Sequence, residues 1–345
     1  MSAVPRAPAV EFGMLSLATS LGEPRSVAED ASRHGLSSEQ LARLGYERFH
    51  QAAEGVTTVE LGAAAGRRAI ERAGIDPAAI GYVVVANGAT VPEYLNWDTS
   101  TAVAARLGLR NVPTLLLAQG CASAVLAFQQ IAGIFAVRSD VETVLLVAVD
   151  RVSERHVKRM GVTVDSDGAA AIVLARDHGS LRWLATEQVT DAEFVDFFRL
   201  EFCGSAAACV PDPNRNLGVD PAYQVYRYFQ DDPDGLVAWA TEVDRRVVDA
   251  VDGACRQAGI RREDLDRLIL LNDSQPSMGA VARSAGLPIE RTNARLSSLL
   301  GHFGGADPLV CLSLYRDDEL LAAGDLVALA GLSSGMHWFC TLIEV

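Results

Sequence analysis

Apolar positions run along this chain in two alternating styles. In "TTVELGAAAGRRAIERAG" (57–74) and "LVAWATEVDRRVVDAVDGACRQAG" (236–259) they recur at i, i+3 and i+4, the period of a helix with one buried face. Between such stretches stand short runs that are apolar almost throughout: "YVVVAN" from Tyr82, "TLLLA" from Thr114, "TVLLVAVD" from Thr143 and "GAAAIVLA" from Gly168. Runs of that length and composition predict strands of a sheet covered on both faces. A tight turn at Gln119-Gly120 would feed "TLLLA" into the helix "ASAVLAFQQIAGI" (122–134), and a second turn is expected at Asp167-Gly168. The chain ends in the same style, with "DLVALAGLSSG" (325–335) and "HWFCTLIEV" (337–345).

The pattern repeats. "ERAGIDPAAIGYVVVAN" (71–87) and "RQAGIRREDLDRLILLN" (256–272) each read as a helix end, Ala-Gly-Ile, a polar turn, an apolar strand and a closing asparagine. Ile75 and Ile260, and Asn87 and Asn272, are both 185 residues apart. Helices alternating with buried strands in two copies predict a duplicated α/β protein, layered α/β/α/β/α about a pseudo-two-fold axis. The halves divide as 1–178 and 179–345, with the non-repeating stretches 20–56 and 190–232 over one end, where loops build pockets.

Composition narrows the class. With 345 residues, 49% of them hydrophobic, the chain can bury a large core. It has no uninterrupted apolar run of about 18 residues, so no spanning helix is expected, and "MSAVPRAPAVEF" lacks a secretory pattern. Cysteines 121, 203, 209, 255, 311 and 340 show no CxxC spacing, which argues against a zinc site or disulfide framework. A cytoplasmic protein with reduced thiols and no metal or cofactor is expected. A net charge of −14 makes nucleic acid an unsuitable partner. The exception is "DRVSERHVKRM" (150–160), where Arg151, Arg155, His156, Lys158 and Arg159 form either a solvated basic face or a docking patch for an acidic partner or a phosphate-bearing arm.

Cys121 is the candidate nucleophile. It follows a strand and opens a helix, where unpaired backbone N–H groups and the positive end of the helix dipole favour a thiolate. His302 stands in "LGHFGGADPL" (300–309), 181 residues on and close to the repeat offset, so the pseudo-symmetry brings it towards Cys121 from the other half. Asp307, five residues further, completes nucleophile, base and orienting carboxylate, an arrangement used for acyl transfer. Met278, Phe303 and Phe128 are read as core, His337 as structural, and Tyr223–Asp232 as an entrance wall or a cap over the second half.

"AQGCASAVLAF", "DGAAAIVL", the doubled halves and "AGLSSGMHWFC" together resemble the thiolase-fold ketoacyl synthase III (KAS III) enzymes. The resemblance implies a thiolase-like fold, an acyl-thioester on Cys121, and an oxyanion hole from the N–H groups of Cys121 and Gly335. Condensing members place a histidine in "HQAN" and an asparagine in "GNTSAAS". This chain has "NDSQ" (272–275) and "GHFGGAD" (301–307), with Asn272 at the histidine position, where it is a candidate polar contact to substrate. The pattern is similar to a natural-product branch with Cys-His-Asp or Ser-His-Asp triads. That implies a ping-pong acyltransferase of polyketide or antibiotic biosynthesis. Its donor would be an acyl carrier protein or coenzyme A thioester, and its acceptor a carrier thiol or small-molecule hydroxyl. "GYERFHQAAEG" (45–55) stands where the family has a coenzyme A-holding element, favouring a carrier-bound donor. Arg151, Arg155, Lys158 and Arg159 are candidate docking residues. A homodimer is implied, by pairing of the strand between the Cys121 helix and "GAAAIVLA". The alternatives are a decarboxylative starter-condensing enzyme and a non-catalytic synthase partner.

Overall fold

The apolar runs become strands, and the 3.6-period stretches become helices laid over them. The computed structural model describes residues 10–34, 36–87, 93–154, 159–199 and 221–345. Its strands are β1 (Phe12–Leu21), β2 (Glu23–Ser26), β3 (Arg48–Gln51), β4 (Tyr82–Asn87), β5 (Thr114–Leu117), β6 (Thr143–Asp150), β7 (Gly168–Arg176), β8 (Arg182–Thr190), β9 (Arg267–Leu270), β10 (Leu326–Ser333) and β11 (His337–Glu344).

Two sheets carry the duplication. The first runs β1-β7-β6-β4-β5 and the second β8-β11-β10-β9, while β2 and β3 form a separate hairpin. Beyond β9, Thr292 makes a single parallel bridge to Leu268, in the place where Thr114 of β5 pairs with Val83 of β4. The strand order is therefore the same in both halves. The helices leading into β4 and β9 end alike: Gly74 and Gly259, 185 residues apart, both take the left-handed conformation at the C-cap.

Five layers result. Helices Ser123–Val137 and Asp307–Asp317 lie between the sheets, in one core cluster with Phe12, Leu146, Ile172, Leu329 and Phe339. Thr58–Ala73 and Thr99–Arg106 cover the outer face of the first sheet, and Pro233–Ala258 and Gln275–Ala285 that of the second. The run "TVLLVAVD" needs no polar residue because both its faces are covered. Val144, Leu146 and Ala148 face the central helices, and Leu145, Val147 and Val149 face the outer ones. The segment 120–137 is apolar enough by composition to cross a membrane, and its composition serves this central position.

Two expectations change. β6 is paired on both sides, to β4 and β7, so it has no free edge for a two-fold; in this sheet the free edge on that side is β5. Asp167-Gly168 is not a turn joining adjacent strands. Gly168 opens β7, and the Asp167 carboxylate accepts from Ala52 N–H and Val152 N–H at 2.8 Å each, tying three segments together. Of the two readings of the aromatic stretch the cap fits: Tyr228 and Phe229 each pack edge-on with Phe197, and Phe229 lies tilted against Trp239 of the outer helix of the second half. Cys203 and Cys209 lie outside the described residues. Cys121, Cys255, Cys311 and Cys340 are free thiols.

Candidate active site

The two central helices begin at equivalent places, and their starts meet. β5 delivers the chain to Gly120, which takes φ +55°; a Cβ there would lie 2.7 Å from Ser333 Oγ. Only glycine lets the backbone turn this close to the β10–β11 corner. A single 3-10 turn, Gly120–Ala122, then leads into the helix, and Ser123 Oγ accepts from Gln119 N–H and donates to Gly120 O, both at 2.8 Å. The second half repeats the device with a 3-10 turn at Gly304–Ala306 and a helix from Asp307. The two turns touch: a Cβ on Gly305 would be 3.2 Å from the Cys121 carbonyl oxygen.

At this junction His302 Nε2 lies 3.4 Å from Cys121 Sγ, and His302 Nδ1 lies 2.5 Å from Asp307 Oδ2. Asp307 is wholly buried and accepts from Asn272 N–H (2.7 Å) on Oδ2 and from Phe303 N–H (2.5 Å) on Oδ1. An acceptor-only carboxylate on the Nδ1 side requires Nδ1–H, which leaves Nε2 to face the sulfur. The His302 backbone is clamped as well, its N–H donating to Val164 O and its C=O accepting from Ser166 N–H. Burial alone would lower the His302 pKa; the Asp307 carboxylate and the Cys121 thiolate outweigh it and hold the imidazole well above its ordinary range.

Asn272 is not a substrate contact. Its side chain is fully buried, with Nδ2 donating to Gly301 O at 2.9 Å and Oδ1 accepting from Asn293 Nδ2 at 2.8 Å. It braces the glycine turn before His302, and its own N–H holds Asp307. Gly335 sits in the β10–β11 corner at φ +131°, and the corner is joined to the nucleophile turn by Ser333 Oγ donating to Gln119 O at 3.0 Å.

The basic segment separates into different roles. Arg159 is no docking residue: its side chain is 2% exposed, paired with Asp167 at 3.1 Å and with Glu154 at 2.6 Å. Its charge serves the internal carboxylate that ties the β7 start to its neighbours. Arg151 is half-buried on the wall of a cavity of about 470 Å³, beside Glu23, Arg25 and Gln51. Arg155, His156 and Lys158 lie outside the described residues. Phe128, Met278 and Phe303 are buried core, and His337 Nδ1 is 2.8 Å from Thr190 Oγ1. Sequence reasoning passed over two carboxylates beside His302, Asp150 and Asp165. Their signal was a charge closing an otherwise apolar strand, "TVLLVAVD", and another in "TVDSD".

Comparisons with known proteins place this geometry. Residues 255–345 match the family model for the C-terminal part of 3-oxoacyl-[acyl-carrier-protein (ACP)] synthase III, and residues 40–165 that for the thiolase N-terminal domain. The chain is 27% identical to a beta-ketoacyl-[acyl-carrier-protein] synthase III from Laribacter hongkongensis, over 88% of this chain and 89% of that protein. A synthase of the same description from Thermosynechococcus vestitus is 26% identical, over 88% of each. Both halves of the chain thus match proteins of the KAS III-like, thiolase-fold kind. Solved structures agree on the fold: ChlB3, described as an acyltransferase, superimposes with a TM-score of 0.85 at 20% identity over 97% of this chain and 98% of that one. FabH of Pseudomonas aeruginosa PAO1, a 3-oxoacyl-(acyl carrier protein) synthase III, gives 0.78 at 20% identity over 98% of each. Acyl transfer and acyl condensation are the chemistries found in this KAS III-like family.

Proposed function

We propose that this KAS III-like chain is a ping-pong acyltransferase that carries its acyl group on Cys121. The observation that supports this over condensation is the Cys121–His302–Asp307 relay, combined with Asn272 being turned away into the protein. Condensation needs two hydrogen-bond donors on a malonyl thioester carbonyl, and of the two motif positions only His302 faces Cys121.

The proton inventory closes in two half-reactions. The thiolate of Cys121 attacks the donor thioester carbonyl, the N–H groups of Cys121 and Gly335 receive the oxyanion, and the departing thiolate takes the proton from His302. Acylation removes the thiolate charge that had raised the His302 pKa, so the neutral imidazole can now act as a base. It takes the proton of an incoming hydroxyl or thiol as that group attacks the acyl-cysteine, and Cys121 leaves as the thiolate beside a reprotonated His302. Asp307 holds the tautomer and stabilises the imidazolium throughout.

The donor is read as a carrier-protein or coenzyme A thioester; acyl carrier protein is named in the relatives' descriptions. The acceptor is read as a carrier thiol or a natural-product hydroxyl of polyketide-type biosynthesis. The free edge of β5, where Leu116 is exposed, is the place for pairing across a homodimer axis. Intact-protein mass after incubation with a panel of acyl thioesters tests the nucleophile. A single adduct on the wild type, absent from Cys121→Ala, is expected; an adduct that survives in Cys121→Ala removes Cys121 from the role.

A further inference from the structure

The turn that holds Asp307 is itself held from the other half of the chain. After β9 the backbone is bonded at one polar atom after another. Leu270 N–H donates to Asn293 Oδ1 at 2.7 Å, and Leu270 O accepts from Asn293 Nδ2 at 2.9 Å. Asn272 N–H donates to Asp307 Oδ2 at 2.7 Å, and Asp273 O accepts from Ser297 Oγ at 2.8 Å. Asn272 O accepts from Tyr46 Oη at 2.6 Å. Asn293, Ser297 and Asp307 belong to the second half, whereas Tyr46 comes from the first. Its place there is fixed on both sides. Just before it, helix Ser38–Leu44 ends on Gly45 at φ +77°, where a Cβ would collide with the Gln275 side chain. Just after it, Glu47 N–H donates to Ser298 O at 2.7 Å, and His50 Nδ1 lies 3.1 Å from Leu300 O. Residues 46–50 thus run along the stretch that leads into His302. Burial first, and then the charges of Asp273 and Asp307, hold the Tyr46 hydroxyl well above its ordinary range, so it keeps its proton and serves as a donor.

We propose that Tyr46 is a positioning residue of the relay, fixing through the Asn272 backbone the carboxylate that orients His302. Four contacts lead from it to the nucleophile: Tyr46 Oη to Asn272 O, Asn272 N–H to Asp307 Oδ2, Asp307 Oδ2 to His302 Nδ1, and His302 Nε2 to Cys121 Sγ. Asn272 N–H and His302 Nδ1–H share a single oxygen, so a shift of the Asn272 peptide moves the atom that aligns the ring. Without the hydroxyl the Asn272 carbonyl is left buried and unpaired, and the turn must move to find a donor. A misplacement of about 1 Å near a reacting group can cost about 100-fold in rate. Cys121 stands in the first half and His302 and Asp307 in the second, so their alignment depends on how the halves meet. Tyr46 is a strut across that meeting.

The role rests on the acyl-transfer reading, and one assay separates the two. Tyr46→Phe removes the hydroxyl and keeps the ring. Tyr315→Phe is the matched control: both tyrosines are 6% exposed, and the Tyr315 hydroxyl also donates to a backbone carbonyl, Thr292 O, at 3.1 Å, without bonding Asn272 or Asp307. Acylation of Cys121 is followed by rapid-quench intact-protein mass over a range of donor concentrations, with a panel of neutral acyl-pantetheine thioesters. In Tyr46→Phe the maximal rate is expected to fall at least about 10-fold while the half-saturating concentration stays within about twofold. In Tyr315→Phe both are expected to stay within about twofold, although it too loses one buried hydrogen bond. A maximal rate in Tyr46→Phe within about twofold of the wild type, or an equal slowing in Tyr315→Phe, overturns the positioning role and leaves acyl transfer standing. No acylation of the wild type by any thioester of the panel overturns both.

Discussion

Replacing Asp307 by asparagine removes one oxygen and one charge from the most constrained group in the site. Asp307 accepts three hydrogen bonds, from His302 Nδ1–H, Asn272 N–H and Phe303 N–H, and has no exposure to solvent. An asparagine has one carbonyl oxygen to offer. If that oxygen takes the place of Oδ2, the amide NH2 meets Phe303 N–H, donor against donor. If the amide is reversed, its NH2 faces Nδ1, which must then give up its hydrogen, and the hydrogen moves to Nε2, where it blocks proton uptake from the incoming acceptor. Either arrangement strands at least one buried donor, at a cost of about 1–3 kcal/mol, and weakens a charge-assisted bond to a neutral one. We expect Asp307→Asn to lose about 2–4 kcal/mol of stability. Turnover should fall by about 10²–10⁴, the usual worth of a positioned general base. The His302 imidazole should titrate at lower pH, because the charge that raises its pKa is gone. Rapid quench with intact-mass detection resolves acylation from transfer, and proton NMR follows the Nδ1–H signal. A folded Asp307→Asn protein that turns over within about threefold of the wild type refutes the orienting role.

Three further outcomes follow from the same geometry. Asp150, near pKa 7 when folded, titrates near 3.9 when unfolded, so the folded state binds its proton more tightly and stability falls as pH rises between those values. Asp150→Asn should therefore stabilise the protein at about pH 8, by no more than about 4 kcal/mol, with a clearly higher melting temperature, and hardly at all near pH 3; a gain confined to acid contradicts it. Arg159→Ala leaves Asp167 buried without its cation and should cost about 3–5 kcal/mol in urea unfolding, whereas a loss below about 1 kcal/mol would mean the pair is idle. Gly120→Ala puts a Cβ on Ser333 and Ser334 at positive φ, so Cys121 acylation should slow at least about 10-fold as the nucleophile turn shifts; an unchanged acylation rate shows that the turn tolerates the methyl.

How much of this was legible in the sequence depended on whether the feature was local or repeated. The strands could be read because a buried strand in a doubly covered sheet carries almost no polar residue, and the repeat could be read from the paired isoleucines and asparagines. Cys121 and His302 could be paired because each stands just ahead of an equivalent central helix, a matter of counting. The sequence was misleading where a side chain's environment is set by a distant partner. Arg159 reads as surface charge until Asp167 and Glu154 close on it. Asn272 reads as a substrate contact until Gly301, Asn293, Asp307 and Tyr46 take up its polar groups. The interior position of β6 depends on sheet order, which its own residues do not encode. Asp150 and Asp165 escaped notice because nothing in a single carboxylate reveals that folding buries it beside His302.

The most direct test of acyl transfer through Cys121 starts from the acyl-enzyme itself. Wild-type protein is acylated with a neutral acyl thioester, freed of donor, and mixed with a thiol or hydroxyl acceptor while adduct mass and carbon dioxide are followed together. The relay of Cys121, His302 and Asp307 predicts loss of the adduct with an equal amount of acylated acceptor and no carbon dioxide. An adduct that persists until a malonyl thioester is added, and then leaves with carbon dioxide and a new carbon–carbon bond, would show a condensing enzyme instead.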